Sequence, residues 1–243
     1  MKIFQVIIGT EILNGRREDK HFKFLRDELL KRGYELFASF IIKDDPNLME
    51  NIFTLIKNTP DSMLFCYGGI GATPDDYTRE IAAKVFSGNK MTFNDEFKKL
   101  IDKRFPNEDN TNKYSLALWP ENAKPLWNNP VNKFPGFYIQ KRYFFMPGFP
   151  QMAHPMTQEA LEKFFPLKEK KERYTLIAFA KESEMLEIMK KIPKTVEFST
   201  LPKLDYTSEI SFAGKNAKEI YEWFKNELNK KKIKYKELPS ITY

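Results

Sequence analysis

An apolar run, Ser62 to Tyr67, leads straight into Gly68-Gly69-Ile70-Gly71-Ala72-Thr73-Pro74-Asp75-Asp76, and a helical pattern through Ile81 to Phe86 follows at once. A strand that ends in glycines and turns directly into a helix is a junction of parallel α/β sheets. The residues before it repeat the plan. Ile3 to Ile8 reads as a buried first strand. His21 to Arg32 carries Phe22, Leu25, Leu29 and Leu30 at helical spacing, and Gly33 stands where a helix C-cap belongs. Leu36 to Ile42 is a second strand, and Pro46 opens a helix whose apolar face is Leu48, Ile52, Leu55 and Ile56. The order β-α-β-α-β-loop-α predicts an α/β fold with a doubly wound, mostly parallel sheet. Such sheets take ligands beyond the carboxyl ends of their strands.

Asn89 to Trp119 reads as a helix followed by an Asn-rich connection. Phe137 to Phe145 is one strand or a hairpin, and the turn Met146-Pro147-Gly148-Phe149-Pro150 leads into a helix from Gln151 to Phe164. The short charged stretch Pro166 to Glu172 is the best linker, dividing a domain at 1–166 from a smaller one at 172–243. In the latter, Tyr174–Ala180, Thr195–Leu201, Thr207–Phe212 and Ile233–Leu238 read as strands. Ser183–Lys191, with Ser183 as N-cap, and Ala217–Asn229 read as helices. That β-α-β-β-α-β order is the ferredoxin-like α+β plan.

No stretch approaches the roughly 20 continuous apolar residues that span a bilayer, so no membrane partner is expected. The start lacks a signal-peptide cleavage site. Cys66 is the only cysteine, which excludes an internal disulfide, and with two histidines a Zn²⁺ site is not expected. A cytoplasmic location is expected. Of the net charge of +7, +5 lies from Leu167 onward, where 17 Lys/Arg face 12 Asp/Glu. The densest run, Lys230 to Lys236, reads as a solvated helix end suited to the negative pole of the helix dipole rather than as a nucleic-acid surface.

The chemistry concentrates between Gly68 and Glu80. Glycines let the backbone approach an anion closely, and the following helix presents its N–H groups and positive pole to phosphate. Thr73 and Thr78 can add hydroxyl donors. Asp75 and Asp76 repel a bare phosphate but suit a Mg²⁺ shared with it. The bland reading is a glycine turn with an Asp as N-cap; three glycines with two carboxylates and two threonines favour the functional one. Asp44-Asp45-Pro46 reads equally well as a helix cap or as part of a metal site, and Arg16-Arg17 as a phosphate clamp or a solvated loop. Glu11 can be a cap or a sugar-hydroxyl acceptor. His21 and His154 read as helix and packing residues, and Cys66 as core.

The run Gly68 to Glu80 resembles the signature of the molybdopterin-binding (MoaB/Mog-like) domain family, most nearly in the version found in CinA-type, competence/damage-inducible proteins. Gly9-Thr10-Glu11-Ile12-Leu13-Asn14-Gly15 is similar to that family's first loop, and Pro147-Gly148-Phe149-Pro150-Gln151-Met152 to its late proline-glycine turn. The likeness covers residues 1 to about 165. It departs at Arg16 to His21, where many CinA-type chains carry a small-polar run, and it resembles standalone members more than fused ones; with the chain ending at Tyr243, the family's deamidase domain is expected to be absent. The resemblance implies a ligand site drawing on Gly9, Thr10, Glu11, Gly15, Asp19, Gly68, Gly69, Gly71, Thr73, Asp75, Thr78, Pro147 and Gly148. It places Asp44 and Asp76 as the working acids, and Asp44, Asp75 and Asp76 as ligands of one Mg²⁺ or other divalent ion.

Three functions remain open at this point. One is a Mg²⁺-dependent pyrophosphatase acting on ADP-ribose-like nucleoside diphosphate-sugars. Another is molybdopterin binding or adenylylation in cofactor biosynthesis. The third is a non-catalytic nucleotide-binding module whose basic second domain touches RNA or a protein. A nucleotide or pterin phosphate is the expected partner, and a homodimer or homotrimer the expected assembly.

Overall fold

The computed structural model describes residues 1–168 and 172–242. Two compact units divide the chain, Met1–Pro166 and Leu167–Tyr243. The first begins with β1 (Lys2–Ile8), α1 (Thr10–Leu13), α2 (His21–Lys31), β2 (Leu36–Ile42), α3 (Pro46–Asn58), β3 (Ser62–Tyr67) and α4 (Thr78–Phe86). It continues with β4 (Met91–Phe93), α5 (Asp95–Arg104), a 3-10 turn at Lys113–Ala117, β5 (Leu118–Pro120) and β6 (Lys124–Leu126). The hairpin β7 (Gly136–Ile139) and β8 (Tyr143–Met146) leads to α6 (Pro150–Phe164). The main sheet has the order β2-β1-β3-β8-β7-β6; the first four strands are mutually parallel, β7 runs antiparallel between β8 and β6, and β6 again follows the common direction. This is the doubly wound, mostly parallel sheet that the sequence predicts.

Strand alternation builds a core on each face. Leu64 and Cys66 join Val6 and Phe145 under α3 and α4, while Phe65 and Tyr67 join Ile7 and Phe144 under α2 and α6. Because both faces are covered, these strands read as continuous apolar runs rather than as alternating ones. Cys66 is fully buried, and burial pushes its thiol far above its ordinary value, so it is inert core. At the start of α3, Pro46 occupies the first turn and the Asp45 carboxylate accepts the Leu48 N–H at 2.8 Å.

The stretch from Asn89 to Trp119 differs from expectation. Beside its helix it holds β4 and β5, paired antiparallel from Met91–Pro120 to Phe93–Leu118. Three-residue strands are too short to show a period of two. Helix α2 also turns differently: its buried face is His21, Leu25 and Leu29, while Phe22 is exposed.

The second unit comprises β9 (Glu172–Ala178), α7 (Glu182–Met189), β10 (Glu197–Pro202), β11 (Ser208–Ala213), α8 (Ala217–Lys230), β12 (Tyr235–Glu237) and β13 (Ile241–Thr242). Its antiparallel sheet, in the order β10-β11-β9-β12, is ferredoxin-like, with β13 added beside β9. Leu176, Ile210 and Phe212 pack on Met185, Tyr221 and Phe224 of its two helices. Ser183 is not the cap of α7. The helix starts at Glu182, and the Glu184 carboxylate accepts the Lys181 N–H at 2.9 Å. The lysine run is a helix end: Lys230 closes α8 and pairs with Glu227, and Lys231 donates to the Glu184 carbonyl. The expected linker includes residues 169–171, which lie outside the described residues. Among the described residues, no helix is long and apolar enough to cross a membrane.

Candidate functional site

Four loops meet at the carboxyl ends of β1, β2, β3 and β8. Gly68 extends the β3–β8 ladder by donating its N–H to the Met146 carbonyl at 2.9 Å, and then turns sharply at φ +100°. A Cβ there would lie 2.3 Å from the Ile8 carbonyl oxygen, an atom of the sheet itself. Gly69, at φ +67°, faces Thr78 so closely that a Cβ would lie 2.2 Å from its Oγ1. These glycines are therefore required by the chain's own neighbours before any room they leave for an anion.

That close packing has a consequence for the backbone. The Gly68 carbonyl accepts from Thr78 Oγ1 at 3.0 Å, and the Gly69 carbonyl from the Thr78 N–H at 3.0 Å. The carbonyls of Ile70 and Gly71 both accept from Arg79 Nη1, each at 2.6 Å. All four therefore point at the start of α4. In a trans peptide the next N–H points the opposite way, and the chain has no cis bonds among its described residues. The amides of Gly69, Ile70, Gly71 and Ala72 thus face away from α4, and none has a hydrogen-bond partner among the described residues. Four successive free donors form a cradle for an anion.

Arg79 strengthens it. The residue is 5% exposed, its Nε is buried without a partner, and it has no ion-pair partner among the described residues. Burial presses its pKa downward, but a guanidinium stays charged in proteins. Glu80 and Asp76 act on it only from a distance, so a buried cation without a close ion pair among the described residues is better satisfied once an anion arrives. Sequence reasoning missed Arg79. The available signal was an arginine in the first turn of a helix, where the dipole disfavours it.

The other expected residues have varied fates. Thr78 is fully buried with its hydroxyl on Gly68, so it is not a donor to phosphate. Neither Asp75 nor Asp76 caps α4, whose N-cap residue, Tyr77, makes no side-chain cap bond. Asp76 closes a turn instead: its Oδ2 accepts the Thr73 N–H at 2.8 Å and the Thr73 hydroxyl at 2.5 Å. Asp75 is exposed. Asp44 is tied in the same manner to Thr10, its Oδ2 accepting from Thr10 N at 2.9 Å and Oγ1 at 2.8 Å. Glu11 pairs with Arg17 at 3.3 Å, and the Arg17 guanidinium lies 4.8 Å from the Phe149 ring, linking the first loop to the Pro147-Gly148 turn. Gly148 packs directly on Gly68, and Gly15 turns the first loop at φ +78°.

Asp19 starts α2, its two carboxylate oxygens accepting the N–H groups of His21 at 2.7 Å and Phe22 at 3.1 Å. Among the described residues no three His, Cys, Asp or Glu side chains form a group that can hold a metal ion. Asp44, Asp75 and Asp76 therefore do not make a three-carboxylate cage, because threonines on different loops hold Asp44 and Asp76 in place.

His21 does more than the sequence suggested. Its Nε2–H donates to the Gly148 carbonyl at 3.2 Å, and its ring stacks on Tyr67 at 4.3 Å. His154 of α6 stacks on Phe24 at 3.7 Å and meets the His21 ring edge-on at 5.3 Å. Burial pushes both histidines down, His154 to about 4. A histidine with a folded pKa below its unfolded value of 6.5 binds no proton in the native state while the unfolded chain takes one up. Its contribution is intact above pH 6.5 and is lost as pH falls from 6.5 toward 4. Acid titrations of unfolding should show this loss, and His154→Phe should flatten it. An unchanged slope in that variant would refute the assignment.

A family described as "Probable molybdopterin binding domain" matches residues 5–166. A CinA-like protein of Thermosipho melanesiensis is 31% identical over 237 residues, covering 91% of this chain and 57% of that protein. One of Pseudothermotoga lettingae is 31% identical, covering 79% of this chain and 48% of its own length. The chain thus spans about half the length of these curated relatives. A protein of Archaeoglobus fulgidus is 26% identical, covering 90% of this chain and 93% of its own. The crystal structure of CinA from Thermoplasma acidophilum superposes with a TM-score of 0.59 at 25% identity, over 68% of this chain and 99% of that one. A match over the whole first unit, with CinA-like relatives and a CinA structure, shows that the chain belongs to the molybdopterin-binding domain family, in its CinA-type form.

Proposed function

We propose that the turn from Gly68 to Ala72 binds the phosphate of a nucleotide or pterin phosphate, and that the chain hydrolyses the diphosphate of an ADP-ribose-like nucleoside diphosphate-sugar with Mg²⁺. The observation that carries this reading is the row of four amides without partners among the described residues, their carbonyls anchored by the buried Arg79 guanidinium. Among the described residues there is no ready-made cage for the ion. Mg²⁺ commonly binds through one or two carboxylates together with substrate phosphates, so it fits as a companion of the diphosphate. Asp44 and Asp76 suit that role, each with Oδ2 fixed by a threonine and Oδ1 without a partner among the described residues. When bound, the ion would neutralise phosphate charge and activate water. The chain's own part is to hold the diphosphate on the amides.

The family's description favours a second reading, in which the same amides hold a pterin phosphate and nothing is hydrolysed. Incubation with ADP-ribose with and without Mg²⁺, followed by AMP release, separates the two. We expect Mg²⁺-dependent release, reduced roughly 10²–10³-fold by Asp76→Asn while the melting temperature holds, since an amide oxygen can still accept from Thr73. Tight ligand binding with no AMP release would leave the phosphate site standing and remove the hydrolytic step.

A further inference from the structure

The main sheet ends at β2 on one side and β6 on the other, and the two edges are built differently. Strand β6 is three residues long and carries Lys124 and Pro125. Strand β2 is seven residues long, Leu36-Phe37-Ala38-Ser39-Phe40-Ile41-Ile42, with neither a charge nor a proline. In the second unit the outer strand β10 holds Glu197 and Pro202. Charge and proline keep an edge strand from pairing with another chain. Of these three strands only β2 lacks both.

The groups on that edge can be named. The Gly9 N–H donates to the Ile42 carbonyl at 3.0 Å, which turns Ile42 toward β1. Alternation then directs the N–H and C=O groups of Ile41 and Ser39 outward. Between the pairings of Leu36 and Ala38 a bulge sets Phe37 against Phe4, with 5.2 Å between the rings. Phe37 still stays 58% exposed, and Ile41 is exposed as well. Helix α3 adds to the surface. Its Glu50 and Lys57 reach α4, at Lys84 and the Val85 carbonyl. Leu48 and Leu55, also seven residues apart, lie on the opposite flank, toward β2, and are exposed. Four large apolar side chains thus line one edge of the first unit, beside backbone groups that no strand covers. A surface of that kind marks a protein–protein interface.

We infer that this edge is a two-fold interface between copies of the chain, each β2 pairing antiparallel with its counterpart. The strand is complementary to itself. Ser39 is its middle residue, and exposed Glu35 and Lys43 stand four residues to either side, without ion-pair partners among the described residues. A two-fold axis at Ser39 brings each Glu35 toward the second copy's Lys43, and it sets the small side chains of Ala38 and Ser39 where the backbones meet.

Sedimentation velocity of the full chain at micromolar concentration should show an even-numbered assembly. Ile41→Lys should halve its mass and leave the circular dichroism unchanged. Glu35→Lys and Lys43→Glu should each weaken association about three-fold or more, and the two together should restore it. Ser39→Cys puts two thiols on the axis, where directly opposed Cα atoms lie about 5.5 Å apart, within disulfide range. Mild oxidation of that variant should give a covalent dimer, and Cys66, fully buried, supplies no competing thiol. A monomeric or trimeric wild-type chain would overturn the inference, as would an assembly whose mass Ile41→Lys leaves unchanged. If Ile41→Lys failed to fold, the absence of a covalent dimer from Ser39→Cys would decide against it.

Discussion

Replacing Gly68 by alanine should destabilise the first unit by about 3 kcal/mol or more and abolish phosphate binding. Two penalties act together. The φ of +100° disfavours any side chain, and the new Cβ would lie 2.3 Å from the Ile8 carbonyl oxygen. That carbonyl belongs to β1, which is paired on both sides, so it cannot move without disturbing β2 and β3. For a unit of this size the loss corresponds to a fall in melting temperature of roughly 6–12 °C. Gly88→Ala is the control. Its φ is +60°, but nothing lies within 4 Å of a Cβ there, so only the backbone term, about 1 kcal/mol, should be seen. Equal shifts in the two variants would show that the clash at Gly68 is relieved at little cost, and the rigid turn would have to be abandoned.

The second large effect is expected at Arg79. Arg79→Met keeps the stem's length but removes the charge and both bonds to the carbonyls of Ile70 and Gly71. Those carbonyls are then free to rotate, and the amides lose their common direction. Pyrophosphate affinity should fall by about 2–5 kcal/mol, at least roughly 30-fold. Stability should change less, because losing two hydrogen bonds is offset by removing a buried, unpaired cation. Arg79→Lys, which retains charge and donors, should recover part of the binding. Calorimetric titration of the two variants measures both quantities. Wild-type affinity in a folded Arg79→Met protein would remove the physical basis of the proposed site.

The glycine junction shows how far local pattern carries an argument and where it stops. Ser62 to Tyr67 followed by glycines had to be a buried strand entering a tight turn, since no other element accommodates that sequence locally. The pattern could not say what the glycines avoid. At Gly68 it is an oxygen of β1, some sixty residues earlier in the chain. The carboxylates repeat the lesson. Asp44, Asp75 and Asp76 share a charge and are near strand ends, which made a common ion attractive. Threonines decided the matter, Thr10 taking Asp44 and Thr73 taking Asp76.

By itself the sequence determined the elements whose signals are short-range: the parallel strands, their helices and the glycine-rich strand end, the family being legible only through the likeness of its motifs. Apolar periodicity and turn residues report on neighbours a few positions away, and these features depend on nothing more. The tertiary structure alone decided which groups are free to act. It turned Thr78 inward, freed four amides by anchoring their carbonyls, buried Arg79 without an ion-pair partner among the described residues, and assembled a ring-lined cavity from residues 70 to 152. Those outcomes depend on partners far apart in the chain, as His21 and Gly148 are. A residue's availability is fixed by what packs against it, which no local pattern contains.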